Sequence, residues 1–130
     1  MEEFLRVFVS FLNKENLMPA VEEGTWLTEL PDEPDNVFMI RQYYGDVPKL
    51  GGKDNCIRYL QIYVRNTSNH LAAEAIDKIF YYLTHLPEYI MDLDATHWAI
   101  IDVRNTPLKH TTDERGRFLY SLSFPVKTQI

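Results

Sequence analysis

The sequence has one cysteine, Cys56, in 130 residues. A single thiol excludes an intramolecular disulfide framework and any zinc knuckle built on several cysteines. This usage fits a reducing compartment. Positive charge is also in short supply, with 13 Lys plus Arg against 19 Asp plus Glu and a formal charge of −6. Such a balance excludes a generally basic nucleic-acid binder, although local basic loops are compatible with it. No run approaches the ~20 consecutive apolar residues of a membrane span. Glu2 and Glu3 stand where a secretory signal carries basic residues, so no leader is expected. Internal repeats and low-complexity tracts are missing. The seven prolines and five glycines are concentrated between periodic segments rather than within them. What remains is a chain with 45% apolar residues, enough for one core, and a single domain over residues 1–130 is expected.

Hydrophobic periodicity sets the elements. Phe4, Phe8, Phe11 and Leu12 recur at three- and four-residue spacings, widened by Leu5 and Val9, and predict a helix over Glu2 to Asn16 that ends before Pro19. Its apolar stripe needs a sheet or another helix against it. Thr25 to Leu30 predicts a first strand, and Val37 to Tyr44 a second. Ile57 to Arg65 alternates Leu60, Ile62 and Val64 with Tyr59, Gln61 and Tyr63, which assigns the first set to the core. Ala72, Ala75, Ile76, Ile79, Phe80 and Leu83 make the apolar side of a second helix, with Asn69 as its expected N-cap. His97 to Arg104 and Arg117 to Lys127 complete the strands, joined through a turn at Asp113-Glu114-Arg115-Gly116. The order α-β-β-β-α-β-β predicts an α+β, two-layer domain with two helices on one face of a mainly antiparallel sheet. A Rossmann fold is excluded by the lack of repeated βα units and of a Gly-rich first turn.

Two helices on one side leave the second face of the sheet to be covered. Tyr59 and Tyr63 fall there, with several of Tyr43, Trp98 and Leu119, and aromatic residues in such positions favour protein interfaces. Either a partner chain or the chain's own long loops cover that face.

Chemistry-bearing patterns are weak. His70, His85, His97 and His110 make no close metal-ligand spacing. Cys56, Ser10, Ser68, Ser121 and Ser123 lack the context of an activated nucleophile. Asp32, Glu33 and Asp35 crowd one turn and Asp92 and Asp94 another, without the spacing of a calcium loop. Gly51-Gly52-Lys53 lacks the remaining glycines, the hydroxyl residue and the following helix of a phosphate loop. Neither catalytic residues, a metal site nor a cofactor is expected. The cations cluster instead: Lys49 and Lys53 in the Asp46 to Asn55 loop, and Arg104, Lys109, Arg115 and Arg117 around the Thr106 to Arg117 segment. Such positions serve solubility, or sparse phosphate contacts if the loops face a lumen.

Leu30-Pro31-Asp32-Glu33-Pro34-Asp35, Val37-Phe38-Met39-Ile40, Tyr44-Gly45, Leu60-Gln61-Ile62-Tyr63-Val64-Arg65, Ala72 to Leu83, Thr106-Pro107-Leu108 and Asp113-Glu114-Arg115-Gly116-Arg117-Phe118, leading into Tyr120-Ser121-Leu122-Ser123-Phe124, follow one another in a pattern that runs from the first helix to about Val126. In this order and spacing they resemble the tail terminator and minor capsid (head–tail joining) proteins of tailed bacteriophages. The polar Lys53-Asp54-Asn55 and the pair Tyr81-Tyr82 depart from that pattern. The resemblance implies a non-enzymatic α+β protein without cofactors that forms a hexameric ring in the virion, at the head-proximal end of the tail. That ring would be assembled in the host cytoplasm. It implies contacts with the major tail tube protein and the head connector or head-completion protein, with DNA passing through the lumen unread and no membrane association. On this reading Tyr59, Tyr63 and Trp98 are expected at an apolar subunit contact. Arg65, Arg104 and Arg117 are expected in ion pairs that fix ring register, and Lys49, Lys53 and Arg115 on contact loops. A head-completion protein or an adaptor that binds a partner chain through the same sheet face is the alternative.

Overall fold

The computed structural model describes residues 2–17, 26–27, 30–46, 55–85, 90–92 and 98–129. The elements run α1 (Glu2–Lys14), β1 (Trp26–Leu27), β2 (Val37–Asp46), β3 (Asn55–Asn66), α2 (Asn69–Thr84), β4 (Ile90–Asp92), β5 (Trp98–Ile101), β6 (Leu108–Lys109) and β7 (Phe118–Gln129). The helices and long strands follow the periodicity of the sequence. Two short strands, β4 and β6, lengthen the expected order, since two or three residues are too few to show a hydrophobic period.

One seven-stranded sheet carries the order β1-β2-β3-β7-β5-β4, with β6 also on β7. Among the described residues, only the β1–β2 pair is parallel. The centre is the long antiparallel pair of β3 and β7, in register from Asn55↔Gln129 to Asn66↔Phe118. Along it, Leu60, Ile62, Val64, Leu122, Phe124 and Val126 are buried and join one core with both helices. From α1, Phe8 sits 6.1 Å from the ring of Phe124. From α2, Ala72, Ile76, Ile79 and Leu83 are buried, as the helical spacing requires. Burying each large apolar side chain contributes roughly 1.5–3 kcal/mol, so this face holds the fold together.

Local sequence chemistry sets the helix ends. Asn16 adopts a positive φ of 59°. Leu17 N–H donates to the Leu12 carbonyl and Asn16 N–H to that of Asn13, which closes α1 in a Schellman turn before Pro19 is reached. Leu12 and Leu17 are both buried in the core. The N-cap of α2 is Ser68, not Asn69. The Ser68 hydroxyl accepts from Leu71 N–H at 3.3 Å, and Asn66 Oδ1 in turn accepts from Ser68 N–H at 2.8 Å. Asn69, one position inside the helix, instead accepts a 2.6 Å bond from the Tyr120 hydroxyl of β7. The side chains of α1 and α2 also meet, through the rings of Phe11 and Tyr82 at 6.2 Å. Lys78 Nζ donates to the Asn16 carbonyl at 2.8 Å.

Strands β5 and β6 share one edge of β7. Ile101 faces Val126 and Leu108 faces Ser121. The six residues 102–107 therefore stand against the four residues 122–125, and the surplus leaves the sheet as an excursion. Pro107, which lacks an N–H, lies at its return.

Candidate assembly surfaces

The second sheet face is neither bare nor fully closed. Val37 and Met39 are buried there, outside the main core cluster. Beyond them Tyr59, Gln61 and Tyr63 are half-buried. A polar ladder crosses the strands here. Arg41 of β2 donates to Gln61 Oε1 from Nε (2.9 Å) and Nη2 (2.7 Å), and its guanidinium lies 5.5 Å from the centre of the Tyr63 ring. The Tyr63 ring is in turn 5.8 Å from His110, and His110 Nε2 lies 2.7 Å from the Ser121 hydroxyl. The chain after β6 thus folds over part of the face, which is the self-covering alternative left open by the sequence. Tyr43 sits at a bulge of β2, where the register passes from Gln42↔Leu60 to Tyr44↔Tyr59. It is 51% exposed and its ring stands 6.2 Å from Tyr59.

A second cluster forms at one end of the sheet. Arg65, near the end of β3, is buried and spends its guanidinium on main-chain carbonyls. Its Nε donates to Asp35 at 3.1 Å, and its Nη2 to Pro34 at 2.6 Å and Asp32 at 3.3 Å. Arg117, just before β7, is buried beside it. Its Nε donates to Asp113 Oδ2 at 2.7 Å and its Nη1 to the Asp32 carbonyl, with Asp32 and Asp35 carboxylates 3.4 Å away. Burial, and then the Arg117 charge, push Arg65 below the ordinary arginine value. Burial pulls on Arg117 in the same way, but the hydrogen bond and charge of Asp113 outweigh it and raise that group. Asp113 is held below the ordinary carboxylate value, first by the Arg117 backbone N–H. Arg115 closes the outside, with Nη2 3.0 Å from Asp32 Oδ2 and Nη1 3.5 Å from Glu33 Oε1. The Pro31-to-Asp35 turn and the Asp113-to-Arg117 turn, about 80 residues apart in sequence, are therefore one structure. Gly116 permits it, with φ at 72°.

The remaining expected contacts are dispersed. Trp98 is half-buried and its carbonyl accepts from the Thr128 hydroxyl at 2.6 Å. Arg104 is exposed on the 102–107 excursion and pairs with Asp102 at 2.7 Å. Lys49, Lys53, His97 and Asp94, and with them the Gly51-Gly52-Lys53 loop, lie outside the described residues. Lys109, by contrast, covers β7 from the helix side, its Nζ 5.5 Å from the Phe118 ring centre and 5.9 Å from that of Tyr120. The polar ladder could not be read from sequence, because Arg41, Tyr63 and His110 share no local spacing. The clasp left one local trace, Asp113 and Arg117 four residues apart.

Cys56 is partly buried. Among the described residues, no group of three or more His, Cys, Asp or Glu side chains is placed to hold a metal ion. No helix among them is long and apolar enough to cross a membrane.

Comparison with known families matches residues 11–130 to the one described as bacteriophage tail terminator protein. The matched span starts inside α1 and takes in every strand, α2 and both turns of the arginine clasp. Comparison with curated proteins gives no match.

Proposed function

Because the chain belongs to the bacteriophage tail terminator family, a family of structural virion proteins rather than enzymes, we propose that it caps the head-proximal end of the tail tube as a hexameric ring. In that position it stops tube polymerisation and offers the surface on which the head connector or head-completion protein docks. The observation that carries the reading is the family match over the whole sheet, together with a second sheet face that is half-covered, aromatic and polar. Such a face suits a contact between subunits that fold alone and then associate.

On this reading Tyr59, Tyr63 and Trp98 contribute to the subunit contact. Arg65 and Arg117 act one step back, by shaping the Pro31-to-Asp35 turn from within. Arg104, Arg115, Lys49 and Lys53 meet neighbours or partners from the loops. A chain of this length has a radius of gyration of ~14 Å and an equivalent diameter of roughly 36 Å, and six such bodies in a ring leave a central gap about as wide, which admits a DNA duplex. The acidic net charge limits retention of the DNA in transit.

Electron cryo-microscopy of the protein mixed with purified tail tubes tests the proposal. Six-fold density confined to one tube end is expected, with further tube growth arrested. Binding along the tube wall, or growth unaffected by saturating protein, would overturn it.

A further inference from the structure

The five large hydrophobic residues most exposed among those described fall on two opposite layers. Tyr43, Ile57 and Leu108, 51%, 36% and 60% exposed, lie on the second sheet face. Their register fixes this: Ile57 is one period before Tyr59, and Leu108 pairs with Ser121, the partner of Tyr63. Leu71 and Tyr81, 53% and 64% exposed, lie on the outer side of α2. There they flank Glu74 and Asp77 at three- and four-residue spacings, so the four form one outward stripe. Two carboxylates lie in the helix stripe, one of them, Glu74, 3.0 Å from His70 Nε2, and two cations on the sheet face. Arg41 and the exposed Lys127 stand on the sheet face, and Glu74 and Asp77 on the helix. Lys78, on the same helix side, is drawn to the Asn16 carbonyl.

Resting on the ring reading above, we propose that the outer stripe of α2 in one copy seats on the second sheet face of the next copy. Each surface has what the other takes: aromatic and aliphatic groups at the centre, carboxylates against cations at the margin. Because the two surfaces are unlike and lie on opposite layers, the contact is head-to-tail. Contacts of that kind propagate and close into rings, whereas a like-to-like contact stops at a dimer.

Two experiments test this on the full chain bound to tail tubes. In a Cys56→Ala background, Asp77→Cys protein is mixed with Lys127→Cys protein and oxidised. Disulfide dimers are expected in the mixture and in neither protein alone. Cross-linking of the Lys127→Cys protein with itself would show a face-to-face contact and overturn the proposal. With Cys56 intact, the Glu74→Lys/Asp77→Lys variant is expected to need about tenfold more protein for half-maximal assembly, and addition of Lys127→Glu in the same chain is expected to restore much of the loss. If wild-type protein forms the end ring but the mixture gives no cross-link and the charge reversal no loss, this contact is wrong and the capping function stands. If wild-type protein forms no end ring, the capping function falls and this contact falls with it.

Discussion

Arg65 and Arg117 donate to the same oxygen, the main-chain carbonyl of Asp32. Two guanidinium groups converge on one peptide group because the surrounding carbonyls and carboxylates divide their charge. Replacing either one strands acceptors. Arg65→Met leaves the Asp35 and Pro34 carbonyls without this donor, the Asp32 carbonyl keeping Arg117, and is expected to cost about 3 kcal/mol in urea unfolding. Arg117→Lys keeps the charge but loses the fork that reaches Asp113 and Asp32 together, and is expected to cost about 2 kcal/mol. An unchanged midpoint in both would remove the clasp as a stabilising element.

Asp113 gives the clasp a pH dependence. Its hydrogen bonds, first from the Arg117 backbone N–H, lower its folded-state value below the unfolded one. Its contribution is therefore complete above the ordinary aspartate value and is lost as pH falls through the depressed folded value. Acid unfolding of wild-type protein is expected to steepen in that range, and Asp113→Asn to flatten it while lowering stability at neutral pH. Parallel acid-unfolding curves for the two proteins would contradict this assignment.

Gly116 tests backbone conformation apart from packing. A Cβ at this position meets no atom within 4 Å, so space is free and only the positive φ of 72° resists substitution. Gly116→Ala is expected to cost about 1 kcal/mol, and Gly116→Asn less, since asparagine tolerates the left-handed region. Chemical denaturation of the pair gives the order directly.

The Ser68 cap is a local contribution. Ser68→Ala removes the acceptor for Leu71 N–H and is expected to cost about 1 kcal/mol, while Asn69→Ala perturbs the tie to Tyr120 instead. The two losses should separate in hydrogen exchange, the first at the start of α2 and the second at β7.

The Tyr59→Ala/Tyr63→Ala variant separates assembly from folding. Both rings are half-buried in the monomer. The variant is expected to fold with a loss of less than about 2 kcal/mol and to assemble poorly on tubes by sedimentation. Outright unfolding would make these tyrosines core residues.

The layers were legible in the sequence because burial has a period. Leu60, Ile62 and Val64 alternate with Tyr59, Gln61 and Tyr63, and each set lies where period two assigns it. The apolar stripes of α1 and α2 were legible for the same reason. Arg65 and Arg117 were not, because a charged residue at a strand end looks free until the turn that buries it arrives from far along the chain. Their partners lie 30 to 33 and 82 to 85 residues away, except Asp113. Strand β6 escaped because two exposed residues carry no pattern. The cap of α2 was displaced by one position because Ser68 and Asn69 are both strong capping residues, and only the backbone geometry chooses between them.

The excursion at 102–107 begins and ends against the same neighbouring strand; Asp102 N–H bonds the Pro125 carbonyl and Val103 packs against the core, which leaves the exposed tip at 104–106 independent of the sheet. Residues can be inserted or deleted at its tip while Ile101 stays opposite Val126 and Leu108 opposite Ser121. Its tip can change in length or shape on a frame that does not have to change.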